Sequence, residues 1–216
     1  MNNKPNIKAI IFDRDGVIIN TEGLVASSVT QAFKHFGYTV TKEDLNYIIG
    51  RSADKYKDYF LSKHNFDFEE YRKLQKEMFT KDINNIPVFH KTIELIKELY
   101  SRNIPIALTT SAGKETTKDI LTHIGIYNMF NVIVTKEDCL NHKPDPEPYL
   151  LTAKKLNIEP KDCLVLEDSE LGVQSAISAG MYCFAIPNEY TQHQNFNIAT
   201  KILNSGEDVL PNIIIK

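Results

Sequence analysis

The sequence predicts an α/β fold: a doubly wound, Rossmann-like parallel sheet with an all-helical cap subdomain inserted after its first strand. Three observations predict it. Short apolar runs rich in Ile, Val and Leu recur along the chain, and helix-length segments with one apolar stripe separate them. The alternation breaks once, between Phe12 and Ile104, where no strand pattern is found.

The runs are Ile7 to Phe12, Ile104 to Thr109, Asn131 to Val134, Cys163 to Leu166 and Tyr182 to Ile186. Each is short and unalternating, which suits a strand covered on both faces. Phe89 to Arg102 sets Ile93, Ile96 and Leu99 on one helical stripe. Lys114 to Ile124 and Glu147 to Leu156 do the same with Ile120, Leu121 and Ile124, and with Leu150, Leu151, Ala153 and Leu156. Strands alternating with helices imply right-handed crossovers and a parallel sheet. In the gap, helical periodicity covers Leu24 to Phe36, Lys42 to Ile49, Ala53 to Lys63 and Phe68 to Thr80. A structureless loop of that length does not suit a compact domain. The expected division is a core of residues 1–18 and 85–216 with a helical cap of 19–84, placed above the carboxyl edge of the sheet. The cap aromatics Tyr47, Tyr56, Tyr59, Phe60 and Phe79 read as core, and the polar stretch from Asn188 to Asn197 as a surface loop.

Composition narrows the function. The 216 residues carry Lys+Arg 25 against Asp+Glu 28, a net charge of −3. That is no footprint for nucleic acid, and no cationic amphipathic stretch addresses a membrane surface. No apolar run approaches the ~20 residues that span a bilayer. Met1 to Lys8 is polar and does not read as a signal peptide. Cys139, Cys163 and Cys183 form no close-spaced metal pattern, and an odd count fits a reducing setting, so a cytoplasmic location is expected. The six histidines include no i, i+4 pair. A monomer is the expected state.

In open parallel sheets ligands bind beyond the carboxyl ends of the strands, at the switch point of the winding. The first run ends in Asp13-Arg14-Asp15-Gly16-Val17 and the second in Thr109-Thr110-Ser111. Asn141-His142-Lys143-Pro144 follows the third, and the fourth ends in Glu167-Asp168-Ser169. Four carboxylates, a hydroxyl and a lysine would thus converge at one edge. Such a cluster repels itself unless a cation neutralises it. Mg²⁺ fits, because it takes oxygen ligands and keeps sites for substrate phosphate oxygens. Gly16 permits a sharp turn and close approach of backbone to phosphate. Metal charge, Lys143 and the Thr110 hydroxyl would stabilise a transferring phosphoryl group, and a carboxylate nucleophile would divide the reaction into two easier steps.

These four motifs, in order and each at a strand end, resemble the haloacid dehalogenase superfamily, and within it the β-phosphoglucomutase-like phosphatases. The resemblance runs from about Ile7 to Pro187 and includes Lys143-Pro144-Asp145-Pro146-Glu147-Pro148-Tyr149 and Gly172. It implies a Mg²⁺-dependent phosphatase acting on a small phosphomonoester such as a sugar phosphate. Asp13 resembles the nucleophile and metal ligand. Asp15 resembles the general acid and base, with its carbonyl on the metal. Thr110 and the Ser111 amide resemble the phosphate-binding motif. Lys143 resembles the lysine that orients nucleophile and phosphate, and Glu167 and Asp168 the remaining metal ligands. Gly16, Ser111 and the cap residues Glu22 and Arg51 are the candidate substrate contacts.

The sequence also departs from the pattern. Arg14 stands between the two Asp residues where an apolar residue is commoner, and is expected to need an acidic partner. Asn20 stands where Asp is commoner. A sugar phosphomutase is the alternative, but the cap His and Arg of such mutases are matched here by Val25 and Ala53, with Arg51 near by. A metal-free dehalogenase would lack an equivalent of Asp15, and a non-catalytic binding protein on the same fold is the reading from a different class.

Overall fold

The computed structural model describes residues 4–48, 53–82 and 86–215. The chain forms two compact units, one of residues 1–19 and 88–216 and one of residues 20–87. In chain order the elements begin with β1 (Asn6–Ile7) and β2 (Ala9–Phe12). The second unit contributes α1 (Thr21–His35), α2 (Lys42–Ile48), α3 (Ala53–Lys63) and α4 (Phe68–Asp82). The first unit resumes with α5 (His90–Ser101), β3 (Ile106–Thr109), α6 (Lys114–His123), β4 (Val132–Val134), α7 (Glu147–Leu156), β5 (Cys163–Glu167), α8 (Glu170–Ser178), β6 (Tyr182–Ala185), β7 (Lys201–Ile202) and β8 (Ile214–Ile215).

Six strands form one sheet in the order β4-β3-β2-β5-β6-β7, every neighbouring pair parallel. β1 and β8 pair separately. The winding runs from β2 through β3 to β4, then returns to β5 on the other side of β2. That reversal is the topological switch point, and ligand sites form beyond the carboxyl ends there. Register places Phe12 opposite both Leu108 and Leu166, so β2, β3 and β5 end level. The Asp13 amide extends this edge by donating to Leu166 O at 3.0 Å. β2, β3 and β5 are buried at every position, as their unbroken apolar runs require. One side of the sheet packs Ile11, Ala107 and Val165 against Tyr149, Ala153, Val173 and Ala176 from α7 and α8. Cys163 and Cys183 are buried thiols in this layer.

The second unit has its own core around Val29, Phe33, Ile48, Tyr56, Phe60 and Tyr71. Of the predicted core aromatics, Tyr56 and Phe60 are fully covered; Tyr47, Tyr59 and Phe79 are partly so. Asn20 caps α1, its side chain accepting from Gly23 N, so the amide supplies the N-cap oxygen that an Asp would. Asp44 is a buried carboxylate on α2 that accepts from Thr41, from Tyr59 OH at 2.8 Å and from Lys63 Nζ at 2.8 Å. It ties α2 to α3. Burial works against its charge, but the bonds from Lys63, Thr41 and Tyr59 outweigh it and hold the carboxyl well below its ordinary range.

Candidate active site

Four of the predicted residues meet in one buried cluster at the ends of β2 and β5. Lys143, on the loop between β4 and α7, reaches across the sheet edge. Its Nζ donates to Asp13 Oδ1 at 2.5 Å, Glu167 Oε1 at 2.7 Å and the Thr109 carbonyl at 3.2 Å. The ammonium also lies 4.8 Å from the centre of the Tyr149 ring. The loop is held in place by several bonds. Glu147 accepts from the Leu140 and Asn141 amides at 2.8 Å each, and Ser175 Oγ donates to the Asp145 carbonyl at 2.6 Å. Pro148 opens α7 in its first turn, and Thr152 on that helix bonds Thr109 on β3 at 2.6 Å.

Glu167 is the most heavily bonded side chain of the cluster. Oε1 accepts from Lys143 and from Tyr149 OH at 2.7 Å. Oε2 accepts from the Asp168 and Ser169 amides and from Ser169 Oγ. A carboxylate has about four lone-pair positions, so these five donors occupy its capacity. Ser169 in turn N-caps α8, accepting from Gly172 N at 3.1 Å.

The electrostatics follow from burial. Desolvation pushes the Asp13 carboxyl up to about 7. The Lys143 ammonium opposes that rise, while Glu167 and Asp15 add to it. Burial disfavours the Lys143 ammonium too, but Asp13 and Glu167 overcome the penalty and hold it above its ordinary value. Burial and the neighbouring carboxylates keep the Tyr149 hydroxyl protonated far into the alkaline range.

Asp13, Glu167 and Asp168 offer oxygens that lie within 4.8 Å of one another, all buried. Three carboxylates against one ammonium leave two negative charges, and a hard divalent cation balances them with the donor type it prefers. The backbone makes room for this set. A Cβ on Gly16, which has φ +78, would fall 1.9 Å from Asp168 Oδ2, and a Cβ on Gly172 would fall 1.8 Å from Glu167 Oε1. Both carboxylates therefore occupy space that any other residue would fill. With Glu167 taken up by its own donors, Asp13 and Asp168 are the carboxylates of this set whose oxygens fit a divalent cation.

The remaining predicted residues are placed as follows. Thr110 Oγ1 donates to Asp15 Oδ2 at 3.4 Å and accepts from the Ala112 amide. Ser111 is exposed immediately after it. Asp15 is gripped by Arg14: Nε and Nη2 of Arg14 reach its two oxygens at 2.9 to 3.1 Å. Arg14 is buried, and its Nη1 donates to Thr117 Oγ1 on α6 at 3.0 Å. The acidic partner expected for Arg14 is thus its own neighbour. Glu22 lies in the first turn of α1, in the second unit. Arg51 falls outside the described residues.

Two contributors were not singled out from the sequence. Tyr149 was visible as the last residue of the Lys143 motif, but only the fold shows its hydroxyl on Glu167. Asn188, read as part of a surface loop, follows β6 and donates to Asp168 Oδ2 at 2.8 Å. Applying the strand-end rule to β6 as well would have pointed to it.

The haloacid dehalogenase-like hydrolase family model matches residues 10–186. The chain is 33% identical over 192 residues to YhcW of Bacillus subtilis, covering 86% of each protein. It is 31% identical over 185 residues to the phosphorylated carbohydrates phosphatase of Thermotoga maritima, covering 81% of this chain and 82% of that one. Among solved structures, β-phosphoglucomutase of Clostridium difficile superposes with a TM-score of 0.73 at 27% identity, over 94% of this chain and 93% of that one.

Proposed function

The chain belongs to the haloacid dehalogenase-like hydrolase family, and we propose that it is a Mg²⁺-dependent phosphatase of a small phosphorylated metabolite with Asp13 as nucleophile. The observation that carries this reading is the buried contact of Lys143 with both Asp13 and Glu167 beside Asp168. Such an array has no structural economy of its own, because buried carboxylates stabilise a fold poorly. With its two surplus negative charges balanced by a divalent cation, it suits an incoming phosphoryl group. The naming of relatives as phosphatases supports the same conclusion.

In this reading Asp13 Oδ attacks phosphorus, the ester P–O bond breaks, and the phosphoryl group rests on Asp13 as an acyl phosphate. Asp15 delivers a proton to the departing alkoxide and then takes one from the water that hydrolyses the intermediate. Lys143 keeps Asp13 oriented and offsets charge on the phosphoryl oxygens, joined by the Thr110 hydroxyl and the Ser111 amide. Asp13, Asp168 and the Asp15 carbonyl would hold Mg²⁺, with Glu167 behind them as the support of Lys143. The ion supplies charge neutralisation that lets an anionic nucleophile approach an anionic ester. Val25 and Ala53 offer no charge to a second phosphate, which disfavours the mutase alternative.

The test is inorganic phosphate release across a panel of phosphorylated metabolites, with Mg²⁺ and with EDTA. Release that depends on Mg²⁺ is expected. Halide release from 2-haloacids without Mg²⁺ would overturn the assignment. So would isomerisation of β-glucose 1-phosphate to glucose 6-phosphate with little free phosphate.

A further inference from the structure

We propose that Asn188 is a positioning residue of the cation site: its amide sets the orientation of Asp168 and ties the loop after β6 to the Asp13–Gly16 loop. The proposal rests on the reading of Asp13 and Asp168 as cation ligands.

The orientation of the Asn188 amide follows from its surroundings. Its Oδ1 accepts from the Tyr190 amide at 2.9 Å, so the oxygen faces its own turn. The NH₂ group must then face the other way, where both neighbours are acceptors. One is Asp168 Oδ2 at 2.8 Å and the other is the Gly16 carbonyl at 3.4 Å. The backbone around it is fixed as well. Asn188 N donates to Thr191 Oγ1 at 3.1 Å, while the Asn188 carbonyl accepts from the Thr191 and Gln192 amides. Thr191 is buried. The turn therefore presents one neutral donor pair at a defined place, aimed at a carboxylate and at the loop that carries Asp13 and Asp15.

A neutral amide is suited to this task. A Lys or Arg there would compete with a cation for the charge of Asp168, whereas an amide orients the carboxylate and leaves that charge uncompensated. Gly16 cooperates, because its missing side chain is what lets Asp168 lie against its backbone. Asn188 thus bridges two of the loops whose relative placement determines the spacing between Asp13 and Asp168. Groups that orient metal-binding carboxylates in this way typically account for 10–100-fold in affinity.

The experiment measures Mn²⁺ binding to the full chain without substrate, by electron paramagnetic resonance of the free ion, alongside thermal melting. Asn188→Ala is the test and Thr191→Ala the control, since the latter loosens the same turn without removing the donor to Asp168. Expected is a rise of about tenfold or more in the Mn²⁺ dissociation constant for Asn188→Ala. Thr191→Ala should lower the melting temperature yet leave the constant within about threefold, well short of that loss. An Asn188→Ala constant within threefold of wild type, or an equal rise in Thr191→Ala, overturns the proposal. If the wild-type chain binds Mn²⁺ no better than Asp13→Ala and Asp168→Ala variants do, the cation-site reading itself fails and the proposal falls with it.

Discussion

The guanidinium of Arg14 holds the carboxylate of Asp15, its immediate neighbour in the chain, through both oxygens at 2.9 to 3.1 Å. Adjacent residues on an extended strand point to opposite faces, so this grip needs the chain to leave the strand at Arg14, where it bends and where the Arg14 carbonyl accepts from the Ile18 and Ile19 amides. Arg14 is anchored at its far end by Thr117, which makes the clamp stiff. Replacing Arg14 with Met removes the clamp and keeps an unbranched side chain of similar reach. We expect kcat to fall by roughly tenfold to a hundredfold, the scale of a slightly misplaced catalytic group, with KM little changed. A variant with wild-type kcat would show that Arg14 is only packing.

Asp13→Asn removes the proposed nucleophile while keeping its shape, and turnover should fall below detection. Because Asp13 is buried and its ionisation is disfavoured, the variant should melt no lower than wild type at pH 8 without metal. Wild-type hydrolysis of p-nitrophenyl phosphate by this variant would remove Asp13 from the mechanism.

The raised Asp13 carboxyl also predicts how stability depends on pH. Its folded value of about 7 lies above the ordinary 3.8, so across that window the folded chain binds more protons at this group than the unfolded chain. Stability from this source is complete below about 4 and declines as pH rises towards 7. The lowered Asp44 acts with the opposite sign, adding stability that is present above its ordinary value and lost on acidification below it. Between pH 5.5 and 7.5 only the first effect operates. The metal-free protein should therefore melt higher at pH 5.5 than at pH 7.5. Saturating Mg²⁺ should narrow the difference, since the ion competes with the proton. Melting curves that rise from pH 5.5 to 7.5 without metal would contradict the sign.

Tyr149→Phe deletes one hydroxyl that donates to a carboxylate inside the core. A hydrogen bond to a charged group contributes about 2 kcal/mol, which for a chain of this length is roughly 4–8 °C in melting temperature. Glu167 keeps Lys143 and its three Oε2 donors, so activity should drop by only a few-fold. A loss of activity as severe as that of Asp13→Asn would mean that Tyr149 takes part in the chemistry directly.

The sequence by itself determined the α/β class, the five main strands and the helices between them. Unbroken apolar runs and 3.6-residue stripes report burial locally, without knowledge of what covers them. It also grouped Asp13, Lys143, Glu167 and Asp168 at one edge, since residues that follow the strands of a parallel sheet share that edge whatever the details of packing. Only the tertiary structure decided which groups partner which. Nothing along the chain says that Glu167 is occupied by Lys143, Tyr149 and Ser169 at once. Nor does anything say that Arg14 turns onto Asp15 rather than onto a distant acid. Asn188 lies 20 residues beyond Asp168. It enters the site because β6 lies beside β5 and ends at the same edge, a fact of sheet order that local periodicity does not carry. Hydrogen-bond partners are chosen by direction over a few ångströms, and that direction exists only once the strands have been laid side by side.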